Sequence, residues 1–170
     1  MKVTIANSRA ANTHLRSIDT TGEPIDFDQC LRQFAKHQPD QLALADSRQQ
    51  LTWGELDLQL NRVANALMGL GLKPNQRLGI LGRNSVEYAL LFLGGLRAGT
   101  CITPLSSLAS SDALVGMIND SGAKLLFVSP DYWEMIAPHS HQLTQCLFSS
   151  DPDHGCHSHP DGLFYLESPR

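Results

Sequence analysis

The feature that most limits the fold of this chain is a regular alternation of short apolar runs with longer amphipathic segments. Apolar runs occur at 42–45, 78–81, 101–103 and 124–128, and the segments between them have helical periodicity. Short strands that alternate with helices form parallel sheets, because each crossover helix covers one face of the sheet. The pattern predicts an α/β fold: a partial doubly wound sheet, mostly parallel, with helices on both faces.

Local capping signals mark the predicted helix boundaries. Thr52 and Glu55 have the spacing of a capping box, in which a hydroxyl and a carboxylate satisfy each other's backbone amides at a helix start. Apolar residues at spacings of three and four follow as far as Leu70, and Gly71 ends the segment. Ser85 precedes another helix that is apolar nearly all round, which predicts burial on most of its sides.

Composition divides the chain into three parts. Residues 1–25 are polar and have no apolar period, so they are expected to form a loose N-terminal arm. Residues 26–148 carry the strand and helix patterns and are expected to form the α/β subdomain. Residues 149–170 are rich in Ser, Asp, Pro, His and Gly, which is typical of a loop at the end of a chain. A length of 170 residues suits one such domain.

Charge and cysteine content limit which partners this protein can bind and in which cellular compartment it is expected. The net charge is −4 and neither sign forms a long run, which argues against nucleic acid. No run is long enough for a membrane span and Met1–Ile5 is too short and polar to be a secretory signal, so a cytoplasmic protein is expected. Cys101 is expected to be buried and inert in a strand, and reduced thiols are expected for all four cysteines: Cys30, Cys101, Cys146 and Cys156.

Several segments, in a fixed order, resemble the motifs of one enzyme family: Leu51–Leu56, Asn61–Ala64, Arg83–Tyr88, Leu96–Leu105 and Asp120–Lys124. The first and fourth resemble the first two core motifs of adenylate-forming (AMP-binding) enzymes, which include acyl-CoA synthetases, luciferases and peptide-synthetase adenylation domains. Ser106–Ala109 lacks the Asp and the Tyr-Pro typical of peptide-synthetase domains. The resemblance, which covers about 27–128, therefore favours an N-terminal fragment of the acyl-CoA synthetase type.

The resemblance implies a two-step ligase reaction of the kind used in fatty acid metabolism. A carboxylate attacks the α-phosphate of Mg-ATP, and the thiol of coenzyme A then displaces AMP from the acyl-adenylate. In the family a glycine-rich loop with a lysine holds the phosphates, and it follows a segment similar to Gly162–Glu167. Neither that loop nor the later motifs and the C-terminal domain occur in these 170 residues. ATP, magnesium and coenzyme A are thus implied for a full-length member, and no catalytic, cofactor or metal residue is predicted here.

Two clusters have residue types that could bind a ligand. Thr20–Pro24 is similar to part of a phosphate loop, but it has no lysine and does not follow a strand, so a simple turn is the better interpretation. The second cluster does not have the paired spacing of a zinc finger, and no metal site is predicted there. It consists of potential zinc ligands: His139, His141, Cys146, His154, Cys156, His157 and His159.

Polar residues near helix starts have a structural and a functional interpretation. Arg83, Asn84 and Ser85 form a loop directly after a predicted parallel strand, at the edge where doubly wound folds bind ligands. Capping of the next helix is the favoured role, and ligand binding is the alternative. Four acids lie where caps or solvated helix faces place them, and none is predicted to be catalytic: Glu87, Asp112, Asp120 and Glu134.

Three functional hypotheses follow. The favoured one is the N-terminal part of an ATP-dependent carboxylate–CoA ligase, inactive alone because the phosphate loop is missing. The second is a non-catalytic binding or regulatory α/β module that associates with a full-length ligase. The third is one half of a split ligase whose other half is a separate chain. A carboxylic acid, ATP and coenzyme A are partners only in a complete enzyme.

Overall fold

The computed structural model describes residues 4–5, 26–143, 157–158 and 164–165. The helices are α1 (Phe27–His37), α2 (Trp53–Gly69), α3 (Val86–Arg97), α4 (Ser111–Ser121) and α5 (Pro130–Ile136), and a 3₁₀ helix (Ala137–Gln142) follows α5. The strands are β1 (Thr4–Ile5), β2 (Leu42–Ala45), β3 (Gln50–Thr52), β4 (Arg77–Leu81), β5 (Cys101–Pro104), β6 (Leu125–Val128), β7 (His157–Ser158) and β8 (Phe164–Tyr165). Backbone contacts divide the chain into a first unit, 1–59 with 84–86, and a second unit, 60–83 with 87–170.

The sheet of the first unit is antiparallel, in the order β1-β2-β3. The prediction that 42–45 belongs to the parallel sheet is therefore wrong. The connection from β2 to β3 is only 46–49, which is long enough for a hairpin and far too short for a parallel crossover. Strand β3 itself was not predicted. Two residues of the predicted N-terminal arm, Thr4 and Ile5, pair with β2.

Helix α1 is capped at its N-terminus by a side chain, and its apolar face is only partly buried. The Asp26 carboxylate accepts hydrogen bonds from the amides of Asp28 and Gln29, at 2.9 and 3.4 Å. None of the side chains in α1 is fully buried. The ring of Phe34 stacks on Trp53 with 4.6 Å between the ring centres.

The sheet of the second unit has the order β5-β4-β6-β8-β7. Strands β4, β5, β6 and β8 are parallel neighbours, and β7 pairs antiparallel with β8. In the centre, Leu78 of β4 aligns with Ile102 of β5 and with Leu125 of β6. The predicted, mostly parallel sheet is confirmed for the apolar runs at 78–81, 101–103 and 124–128.

Two apolar clusters lie on opposite faces of this sheet, because alternate residues of a strand point to opposite sides. One contains Leu78, Ile80 and Phe127 with residues of α2 and α3, including Leu67 and Leu91. The other contains residues of β4 and β6, of α4 and α5, and of the segments that follow β5 and the 3₁₀ helix: Leu81, Leu105, Leu114, Val115, Ile118, Leu126, Val128, Tyr132, Ile136 and Leu143. Helices thus cover both faces, as the pattern predicts for a doubly wound fold.

Helix α3 approaches its neighbours closely at two glycines. A Cβ atom at Gly94 would lie 2.5 Å from Val63 Cγ1 on α2, and one at Gly95 would lie 2.4 Å from Ile102 Cδ1 on β5. Any larger side chain would force these elements apart. The apolar character of α3 on most of its sides is explained by these contacts.

Candidate functional site

The first motif, 51–56, builds the N-terminus of α2. Thr52 and Glu55 form the predicted capping box: the Thr52 amide donates to Glu55 Oε2 at 2.8 Å, and the Glu55 amide donates to Thr52 Oγ1 at 3.3 Å. The Gly54 amide donates to the carbonyl of Pro39 at 2.9 Å. A Cβ atom at Gly54 would lie 3.3 Å from that same oxygen, so the approach needs a small residue. The motif is structural.

The second motif, 96–105, turns the chain from α3 into β5. Gly99 has φ +73°, a left-handed conformation that favours glycine. The buried Thr100 hydroxyl donates to the Gly95 carbonyl at 2.8 Å, which satisfies a carbonyl near the end of α3. The Leu105 amide donates to the Ile80 carbonyl at 2.9 Å and extends the ladder past Pro104. This motif also provides architecture.

In the first unit, the Asp46 carboxylate joins the β2–β3 turn to the start of α3. It accepts hydrogen bonds from the amides of Arg48, Gln49 and Val86 at 2.7, 3.0 and 2.9 Å. Burial acts to raise the pKa of Asp46, but these three amides and the Arg48 charge lower it below its ordinary value. The start of α3 is therefore held by a residue 40 positions away.

In the second unit, the connections after β4 and β6 leave the sheet toward opposite faces. Strand β4 leads to α3, which belongs to the cluster around Leu78, and β6 leads to α5, which belongs to the cluster around Leu81. The two strands are parallel neighbours, and the Ser129 amide continues their ladder to the Leu81 carbonyl at 2.8 Å. Their carboxyl ends therefore form a topological switch point, the place where doubly wound sheets bind ligands.

Arg83 lies at this switch point. Its Nε donates to the Tyr132 hydroxyl at 3.4 Å and lies 3.7 Å from Asp131 Oδ2. The Tyr132 ring is buried in the apolar cluster, so it anchors the Arg83 side chain, which is itself 71% exposed. The hydrogen bond to Tyr132 and the charge of Asp131 raise the pKa of Arg83, so its guanidinium is always charged.

Gly82 precedes Arg83 and lies close to Ser129 and Tyr88. A Cβ atom at Gly82 would lie 3.4 Å from Ser129 Cβ, 3.6 Å from Ser129 Oγ and 3.5 Å from Tyr88 Cδ2, all ordinary contact distances. Ser129 precedes α5, but its hydroxyl does not cap that helix. Burial raises the pKa of Tyr88, which favours its neutral form. The Ser129 hydroxyl thus lies beside the backbone of Gly82, the residue before Arg83.

The other candidates from the sequence are not brought together. Cys101 is exposed, so the prediction of a buried thiol is wrong: β5 is the edge strand of its sheet. Within the described residues no group of three His, Cys, Asp or Glu side chains could hold a metal ion. Thr20–Pro24, Cys146, His154 and Cys156 lie outside the described residues, as does the side chain of His157. The four acids lie at helix starts or on exposed helix faces: Glu87, Asp112, Asp120 and Glu134.

Comparison with known proteins identifies the family. The family model of the AMP-binding enzymes matches residues 31–161. This chain belongs to the AMP-binding enzyme family. The matched range includes both core motifs, whose local geometry is described above, and the resemblance expected from the sequence is confirmed.

Three relatives illustrate the range of the family. Surfactin synthase subunit 1 of Bacillus subtilis is 35% identical over 98 residues, which are 58% of this chain and 3% of that protein. Fatty acid–[acyl-carrier-protein] ligase ScoC of Streptomyces coeruleorubidus is 29% identical over 102 residues, 60% of this chain and 20% of that ligase. The structure of a benzoate CoA ligase from Burkholderia xenovorans LB400 superposes with a TM-score of 0.67 and 25% identity, over 76% of this chain and 26% of that one.

Each of these comparisons matches a small part of a much longer protein. The chain spans a fifth or less of the two curated relatives and about a quarter of the solved ligase. Among the described helices, none is both long enough and apolar enough to cross a lipid bilayer. The two core motifs within the matched range build helix starts and strand ends. The match to the family is therefore a match to structural elements of the fold.

Proposed function

We propose that this chain is the N-terminal part of an ATP-dependent carboxylate–CoA ligase, which forms an acyl-adenylate and then an acyl-CoA. The observation that carries the proposal is the match to the AMP-binding family over 31–161. The geometry supports a scaffold role, because 51–56 and 96–105 fix helix and strand ends and place no reactive group. Catalysis would need the phosphate loop, which is not among these 170 residues.

Two assays test this proposal. We expect the 170-residue chain, given Mg-ATP, coenzyme A and a panel of carboxylic acids, to release no AMP or pyrophosphate above background. A positive test uses a chimera in which residues 26–143 replace the equivalent segment of the benzoate CoA ligase from Burkholderia xenovorans. We expect this chimera to form benzoyl-CoA at a reduced rate. AMP release by the isolated chain, or a folded chimera with no adenylate formation, would contradict the proposal.

A carrier-protein thiol is the second candidate for the acceptor. Surfactin synthase subunit 1 and the acyl-carrier-protein ligase ScoC are among the proteins that this chain resembles. Coenzyme A is favoured because Ser106–Ala109 lacks the residues typical of peptide-synthetase domains. The two are distinguished by supplying a complete ligase that carries this segment with coenzyme A and, separately, with a phosphopantetheinylated carrier protein. Acyl-CoA as the main thioester supports the first, and acyl-carrier protein the second.

A further inference from the structure

We infer that the switch point between β4 and β6 binds an oxyanion, a phosphate or carboxylate group of a small molecule, through the guanidinium of Arg83. The topology selects this position, because the chain leaves β4 and β6 toward opposite faces of the sheet. The inference concerns binding by the isolated chain and does not depend on the proposed ligase reaction. It assigns a ligand class to a loop for which helix capping was the favoured role.

The neighbours of Arg83 orient its guanidinium and leave its terminal amino groups available for a ligand. Tyr132 and Asp131 both lie on the Nε side, at 3.4 and 3.7 Å. The two terminal amino groups of Arg83 do not bond to any described residue, and the side chain is 71% exposed. Arginine binds phosphate and carboxylate with paired N–H groups in a fixed plane, and an anchored guanidinium loses less entropy when it does so.

Gly82 and Ser129 provide the rest of the site. Gly82 has no side chain to cover its backbone, and the Ser129 hydroxyl, which does not cap α5, lies 3.6 Å from the position that a Cβ atom would take at Gly82. Asp131 acts against binding, because its carboxylate competes for Arg83. It is 65% exposed and its contact is at 3.7 Å, so the competition is weak and a ligand with two oxygens can displace it.

The test is a ¹H–¹⁵N NMR titration of the 170-residue chain with inorganic phosphate and, separately, with benzoate, at constant ionic strength. We expect saturable shifts of the Gly82, Arg83 and Ser129 amides. Saturation with phosphate alone assigns a phosphate ligand, saturation with benzoate alone assigns a carboxylate, and saturation with both supports the shared chemistry. Linear shifts with neither ligand reaching saturation would overturn the inference.

Variants separate the site from general charge effects. We expect Arg83→Gln to weaken binding about ten-fold or more, since charge-assisted hydrogen bonds are lost. Gly82→Ala should weaken binding by covering the backbone with a methyl group, while Asp131→Asn should strengthen it about two- to five-fold. The matched control is Arg62→Gln, an exposed arginine on α2, which should leave binding unchanged.

Folding of each variant is checked by its melting temperature. If Arg83→Gln does not fold, Tyr132→Phe replaces it, since this change removes the hydroxyl anchor and keeps the buried ring. Equal weakening by Arg62→Gln and the switch-point variant would show a nonspecific charge effect and would contradict the inference.

Discussion

The two units of this chain are stabilised in different ways. In the second unit, residues of the central strands are buried on both faces: Leu78, Ile80, Leu125, Leu126 and Phe127 are each at most 3% exposed. In the first unit, α1 has no fully buried side chain, and caps, a ring stack and the three amides on Asp46 add to the burial of Ala43, Leu44, Leu56 and Val86. Packing on both faces of a sheet defines the second unit, whereas hydrogen bonds to side chains contribute a larger share in the first.

The largest expected effect tests packing in the second unit. Leu78 is fully buried in β4, between neighbours on both sides. We expect Leu78→Ala to lower the free energy of unfolding by about 2–5 kcal/mol, from lost apolar burial and a residual cavity. Chemical denaturation followed by circular dichroism measures it. Leu58→Ala, at a leucine that is 60% exposed, is the control. A loss below about 1 kcal/mol for Leu78→Ala would mean that packing does not dominate this unit.

The second prediction concerns the contact of α2 with α3. Gly94→Ala places a Cβ atom 2.5 Å from Val63 Cγ1 and 2.7 Å from Val63 Cβ, and a β-branched side chain on a helix cannot move away easily. We expect a loss of about 1–3 kcal/mol in the free energy of unfolding.

Gly116→Ala is the matched control for the change at Gly94. Gly116 lies within α4 with no atom in reach of an added Cβ, so alanine should stabilise the chain by about 0.5–1 kcal/mol through its higher helix propensity. Equal effects of the two changes in a denaturation experiment would show that α2 and α3 adjust without cost.

The third prediction compares helix caps in the two units. Thr52→Ala removes the hydroxyl half of the capping box at α2, and Ser110→Ala removes the cap of α4, whose hydroxyl accepts from the Ala113 amide at 3.4 Å. Each should cost about 1 kcal/mol. Amide hydrogen exchange localises the loss: we expect faster exchange throughout the first unit for Thr52→Ala, but only at the start of α4 for Ser110→Ala. If faster amide exchange extended equally far from the substituted cap in both variants, the proposed difference in how the two units are stabilised would be contradicted.

The sequence predicts elements that depend on neighbouring residues and misses those that depend on distant ones. The capping box at Thr52 and Glu55, the helices α2 to α4 and the parallel strands β4, β5 and β6 follow from local patterns. The hairpin of β2 and β3 was missed, because a four-residue turn at Asp46 has no Asn-Gly or Asp-Gly signal. Exposure of Cys101 depends on strand order, which apolar runs do not specify.

The candidate site shows the same limit. The polar loop after β4 was recognisable, since its position after an apolar run predicts the edge of the sheet. Its partners were not: Tyr132 is 49 residues from Arg83, and no periodic pattern links them.

The smallest expected effect is a pH dependence at Asp46. Because the pKa of Asp46 is lowered in the folded chain, its carboxylate stabilises the fold above the ordinary aspartate pKa of about 3.9, and this contribution is lost as the pH falls through the folded value. Asp46→Asn keeps one carbonyl acceptor, so it should lower the melting temperature slightly at pH 7 and leave it unchanged at about pH 2, where the wild-type carboxyl is also neutral. Ser47→Ala, in the same exposed turn, is the control. A difference in melting temperature between wild type and Asp46→Asn that is constant from pH 7 to low pH would contradict this prediction. The three amides would then depend on the shape of the side chain and not on its charge, and the first unit would rely on packing as much as the second.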